Sequence, residues 1–191
     1  MPASQDDKVV ISLHRAALHK KLFFFISGIV TSLPLTLFID GFANYLLITL
    51  PFFYATLFSF VIFAPLIEEF AKAFPLFYRH GETEKSIFTL GFLVGLGFGF
   101  AEFLIYVFEL GVPILVRLPL VFFHAATTSI VAFGLTQKQP TLFYLIAVFL
   151  HFLNNGSAMF NQLWVLRGTA VAVAYFLSWH FYGKTSERIV D

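Results

Sequence analysis

The sequence has no cysteine, and only 12% of its residues are Asp, Glu, Lys or Arg, about half the roughly 25% of an average soluble domain. The first absence excludes a disulfide scaffold and any Cys-ligated zinc or iron–sulfur centre. The second excludes a water-soluble globule, because 59% of the residues are hydrophobic and 28 are Phe, more apolar side chain than the polar residues could cover. The same hydrophobicity excludes a disordered chain. A net charge of +1 offers no basic face for nucleic acid. Also missing are an H-E-x-x-H helix and any serine-hydrolase elbow around Ser129 or Ser157.

What is present is apolar sequence in lengths that suit a membrane. A hydrocarbon core about 30 Å thick takes roughly 20 apolar residues per helix, and Leu22–Ile39, Ser86–Leu110, Ile114–Leu135, Thr141–Met159 and Leu163–Tyr182 fit. They are parted by Asp40-Gly41, the charged stretch 79–85, Gly111-Val112-Pro113, Gln137–Pro140 and a polar patch near Asn161. Residues 42–78 are too long for one straight crossing, about 55 Å as a helix, and short for two. Lys and Arg in short loops favour the cytoplasmic side. One crossing by 42–78, broken at Pro51 and Pro65, places Lys8, Arg15, Lys20, Lys21, Arg79, Lys85, Lys138, Lys184 and Arg188 inside, with only Arg117 and Arg167 outside. Two crossings erase the bias. The expectation is therefore an all-α, polytopic membrane helix bundle of six transmembrane helices, with seven as the alternative. Residues 1–21 form a cytoplasmic N-terminal segment, 22–183 the transmembrane domain, and 184–191 a cytoplasmic tail. The polar start is long and no A-x-A site follows it, so the first span is expected to stay uncleaved. Trp164, Trp179 and Tyr182 mark the two interfaces, while His14, His19, His80 and His180 are read as surface residues. Arg167 is read as a headgroup anchor, and Arg117 is not assigned.

Glu68, Glu69, Lys72 and Glu102 lie deep in apolar sequence, where each charge costs roughly 2.5–3.5 kcal/mol at a helix centre. On a helix Lys72 reaches Glu68 (i, i+4) or Glu69 (i, i+3), while the two glutamates diverge by about 100°. One carboxylate can therefore face a cavity while the other is held by Lys72, leaving a base within the membrane. Gly91, Gly95 and Gly99 form a smooth helix face, expected to bring the Glu102 helix against the Glu68 helix, with Phe98 one turn before Glu102. His124 stands alone in the fourth span. In the fifth, His151 and Asn155 share a face at i, i+4 and could direct two donors at one oxygen; Asn154 is read as a packing group.

These elements resemble those of the PrsW family of intramembrane proteases, related to the CAAX prenyl endopeptidases and the bacterial abortive-infection membrane proteins. The family's E-E-x-x-K resembles Glu68-Glu69-Phe70-Ala71-Lys72, and its F-x-x-x-E resembles Phe98 to Glu102. The isolated His with a later Gly resembles His124 and Gly134, and the final His with Asn or Asp four residues on resembles His151 and Asn155. Relatives often carry Asn where this chain has Phe103, an Asp-rich sequence where it has 79–85, and an additional first span. The resemblance implies hydrolysis of peptide bonds in a membrane-protein or lipidated-peptide substrate, in a prokaryotic plasma membrane, with regulatory membrane proteins among the family's associated targets.

The expected catalytic set is Glu68, Glu69, Lys72, Glu102, His124, His151 and Asn155. Glu68 activates water, Glu69 and Lys72 set its charge and position, His151 and Asn155 hold the oxyanion, and Glu102 or His124 protonates the leaving amine. No cofactor is required in that scheme. A divalent metal such as zinc is the alternative, with Glu68, Glu102, His124 and His151 as candidate ligands. Two further classes compete. A proton-coupled transporter would also bury Glu, Lys and His, but no inverted repeat is seen. A non-catalytic scaffold would have no need of such costly residues.

Overall fold

The computed structural model describes residues 14–78, 82–160 and 163–190; Lys8, Arg79, His80 and Asn161 lie outside them. Six helices make up the described chain: α1 (Leu18–Leu47), α2 (Phe52–Tyr78), α3 (Glu84–Glu109), α4 (Ile114–Thr136), α5 (Pro140–Met159) and α6 (Trp164–Lys184). The first five are long and apolar enough to cross a membrane; α6 matches them in length but is less apolar. The chain is thus a polytopic membrane helix bundle. Phe38, Phe52, Leu115, Trp164 and Trp179 are among the many large side chains left on the outside, as lipid permits.

Local chemistry sets the helix boundaries. Pro51 and Pro113 immediately precede α2 and α4, and Pro140 opens α5, where a missing N–H costs nothing. Thr83 caps α3 by accepting from Ser86 N at 3.2 Å. Gly111, at φ +68, makes the tight return from α3 to α4. Three stretches widen to π-helix, Gly28–Ser32 in α1, Leu57–Phe63 in α2 and Ile105–Glu109 at the end of α3, and the first two lie just ahead of a proline, Pro34 and Pro65. Proline lacks an N–H and crowds the carbonyl four residues back, and a π turn absorbs that misfit.

Two expectations are corrected here. Asp40-Gly41 does not end a span: both residues lie within α1, and the chain turns at 48–51 instead. An Asp-Gly pair reads as a turn, yet with apolar residues on both sides the helix continues through it. Residues 52–78 then form one helical run, so Pro51 starts a helix rather than kinking one. The second correction concerns the glycine face, which meets α4 rather than α2. A Cβ at Gly91 would strike Ala132, one at Gly95 would strike the His124 carbonyl and Thr128, and one at Gly99 would come within 2.8 Å of the Val121 carbonyl. Small residues let these backbones close up. On the opposite side, Gly97 and Gly28 give the same close approach between α3 and α1.

The helix α4 is the most enclosed of the apolar spans. Phe123, Ile130 and Phe133 anchor a core shared with α3, α5 and α6, in which the Phe133 and Phe181 rings stack at 4.7 Å. At the polar end, a short strand β1 (Glu82–Thr83) pairs antiparallel with β2 (Ile189–Val190), so the C-terminal segment folds back on the start of α3.

Candidate active site

Four helices direct ionisable side chains into the middle of the bundle. From α2, Glu69 and Lys72 are wholly buried (0% exposed) and joined by a 2.7 Å ion pair, the i, i+3 partnership the spacing allows. Lys72 Nζ also lies 3.0 Å from His124 Nδ1 and 5.1 Å from the centre of the Phe98 ring. An ammonium can only donate, so His124 Nδ1 accepts and its proton resides on Nε2. That nitrogen lies 2.7 Å from Glu102 Oε2, the donor–acceptor match this tautomer requires. Phe98 therefore acts as a floor, edge-on to His124 at 5.2 Å between ring centres.

Glu69 Oε1 gathers three donors: Lys72, Thr127 Oγ1 at 3.1 Å and His151 Nδ1 at 2.9 Å. Holding His151 through Nδ1 leaves the Nε2 lone pair facing Glu68 Oε2, 3.7 Å away. Glu68 Oε2 is buried and finds no hydrogen-bond partner. The two adjacent glutamates thus diverge as their 100° separation predicts, one locked into an ion pair and the other open to the site.

Glu68, Glu102, His124, His151, Asn154 and Asn155 line one cavity of about 350 Å³, together with Asp40 of α1 and Arg117 and Arg167. Glu69 and Lys72 stand behind its wall. Asn155 Nδ2 donates to the Phe60 carbonyl at 3.0 Å and its oxygen accepts from Asn154 at 3.0 Å. The widened α2 turn at Leu57–Phe63 includes Phe60, and loosened helical bonding leaves carbonyls available for such contacts. His151 and Asn155 share a face, as their spacing implies, but one donor of each is committed elsewhere, to Glu69 and to Phe60. Gly134 has a packing role in the structure: a Cβ there would come within 2.5–2.9 Å of Phe143, so its absence lets α5 lie close against α4.

Several residues enter the site that the sequence did not assign to it. Arg117 is buried, bonds Glu102 Oε1 at 3.0 Å and stacks over Tyr106 with its guanidinium carbon 3.6 Å from the ring centre. Arg167, read as an anchor, lines the cavity, as does Asp40, read as a loop residue. The available signal was the rule that a charge within an apolar span faces the bundle interior; proximity to the predicted span ends masked it.

The donor set also suits a metal ion. Glu68, His124 and His151 each offer a ligand atom, all within 4.8 Å of one another, and two His with one Glu is a known catalytic zinc set. The orphaned Glu68 Oε2 and the free lone pair of His151, whose other nitrogen is held by a carboxylate, match what such a site needs. His124 could join only by exchanging its Nε2 proton, since Lys72 occupies Nδ1.

Neither a curated protein nor a solved structure matches the chain. A sequence model described as PrsW family intramembrane metalloprotease matches residues 17–181, which takes in all six helices but the last residues of α6 and the whole of the cavity just described, and on that match the chain belongs to the PrsW family.

Proposed function

We propose that the protein hydrolyses peptide bonds of membrane-embedded or membrane-anchored proteins with a water activated by Glu68. The family supports an intramembrane peptidase; the observation that carries the finer reading is the unpartnered Glu68 carboxylate oxygen, buried in a cavity lined by all six helices and 3.7 Å from His151 Nε2. Glu68 takes a proton from water as the oxygen attacks the scissile carbonyl. His151 Nε2 is placed to share that proton, and Glu69 stabilises the resulting imidazolium through Nδ1. The charged ring and the second amide proton of Asn155 then face the developing oxyanion, in a water-poor site where fixed donors act strongly. As the C–N bond breaks, the proton that Glu68 took from water passes to the leaving amine, relayed by Glu102, whose Oε2 accepts from His124 Nε2.

A second reading is favoured by the Glu68, His124 and His151 cluster. These residues would hold a zinc ion, which would acidify a bound water and polarise the substrate carbonyl. In both readings Glu69 and Lys72 orient the imidazoles. The termini and the basic residues around them are assigned to the cytoplasmic side of the membrane by the positive-inside rule. The decisive experiment is cleavage of a single-span membrane-protein reporter by the purified protein in detergent. Glu68→Gln abolishes cleavage while the protein stays folded; full cleavage by that variant overturns the reading.

A further inference from the structure

At the polar end of the bundle, a groove of about 510 Å³ runs between α3, α4 and α6, walled by Phe88, Phe92, Phe122, Trp179 and Tyr182. It lies apart from the catalytic cavity and shares no residue with it. A second hollow of about 380 Å³ adjoins it, lined by Arg15, Lys21, Lys85 and Glu187. Thr89 and Tyr182 border both, so the two are continuous. Each volume falls within the ~300–1,000 Å³ of ordinary ligand sites.

Their chemistries differ sharply. The groove is almost entirely apolar, with Ser129 and Ser178 satisfying each other beside it at 2.7 Å. The hollow has three cations to one carboxylate. Arg15 pairs with Glu187 at 3.2 Å, whereas Lys21 and Lys85 form no ion pair among the described residues. The Lys85 ammonium stands 5.3 Å over the Tyr182 ring, at the junction of the two spaces. Neighbouring charges are spoken for: Lys20 bonds Glu82 at 2.9 Å and Arg188 bonds Glu84. The two unpaired lysines thus face a hollow whose floor is a hydrocarbon-lined groove.

From this juxtaposition we infer a binding site for one anionic phospholipid, its phosphate between Lys21 and Lys85 and an acyl chain in the Phe88–Trp179 groove. A zwitterionic lipid carries its own cation and would meet like charge. A free phosphate would leave the groove unfilled. A docked helix of a second copy or a substrate would fill the groove without needing the lysines.

Native mass spectrometry of the full chain, exchanged into micelles containing equal phosphatidylglycerol and phosphatidylcholine, tests this. The expected result is one tightly retained phosphatidylglycerol, with a preference of roughly tenfold to thirtyfold, the effect of two lysines beside an anionic headgroup. Lys21→Gln with Lys85→Gln brings the preference close to one. Thr89→Phe, which closes the junction without altering charge, lowers retention of both lipids. Thermal unfolding with and without phosphatidylglycerol gives the same answer independently, since a ligand of the folded state raises Tm and the lysine pair variant loses that rise. Equal retention of the two lipids by the wild-type chain, an unchanged preference in the lysine variant, or displacement of phosphatidylglycerol by inorganic phosphate alone each overturns the site, as does a groove filled by a second copy in the same spectra.

Discussion

Lys72 Nζ approaches His124 Nδ1 to 3.0 Å while donating to Glu69 at 2.7 Å, so one buried ammonium couples the two halves of the site. On one side it fixes the His124 tautomer that donates to Glu102. On the other it balances the Glu69 carboxylate that holds His151. Removing Lys72 alone leaves a buried carboxylate uncompensated, at a cost of about 3–5 kcal/mol. Lys72→Met is therefore expected to lose both folding stability and cleavage. The double variant Glu69→Gln with Lys72→Met should recover much of the stability but none of the cleavage. Thermal unfolding in micelles separates the two outcomes.

Adjacent glutamates are expected to respond in opposite ways. Glu68→Gln removes a charge whose Oε2 has no protein partner and should leave Tm nearly unchanged while abolishing cleavage. Glu69→Gln disturbs three hydrogen bonds at Oε1 and leaves the buried Lys72 ammonium without its counter-charge, and should cost about 3–5 kcal/mol. Comparing Tm of the two variants checks this directly.

Glycine substitutions should sort by what a Cβ would meet. Gly95→Ala drives a methyl into the His124 backbone and Thr128, an overpacking expected to cost about 1–3 kcal/mol and to part Glu102 from His124. Gly168→Ala in α6 meets nothing within 4 Å and should be neutral or slightly stabilising, by up to ~1 kcal/mol from helix propensity. Unfolding of both, with cleavage measured beside it, is the test.

The C-terminal segment is fastened by Glu84, which accepts from Ser186 N at 3.0 Å, Ser186 Oγ at 2.7 Å and Arg188 Nε at 3.0 Å. Glu84→Ala should release residues 185–190 while the helices stay folded. Faster amide exchange at Glu84 and Lys85, whose N–H groups donate to Arg188 and Ser186 carbonyls, would register the release; unchanged protection would contradict it.

Cleavage driven by Glu68 alone should persist after treatment with a chelator and dialysis. Release of one zinc per chain with matching loss of cleavage, and absence of zinc from His151→Ala, would instead establish the zinc reading of the Glu68, His124 and His151 cluster.

The membrane class and most helix positions were legible because hydropathy acts locally: a run of apolar residues interrupted by charge or by Gly and Pro has few other fates. That Glu68, Glu102, His124 and His151 would meet around one cavity was legible because ionisable groups in such runs are costly enough to stand out. Asp40, Arg117 and Arg167 were not recognised because a charge near a predicted span end reads equally well as a loop or anchor residue; only the neighbours supplied by other helices separate these fates.

By itself the sequence determined that Glu68 and Glu69 point apart and that Lys72 can reach one of them, since helix geometry relates near neighbours. Which glutamate Lys72 takes was decided by His151 and Thr127, which arrive from other helices and converge on Glu69. The glycines of α3 likewise announced a close-packed face, but its partner was decided in three dimensions. Side-chain direction is a property of one helix, whereas a pairing of helices depends on how all of them share the same core.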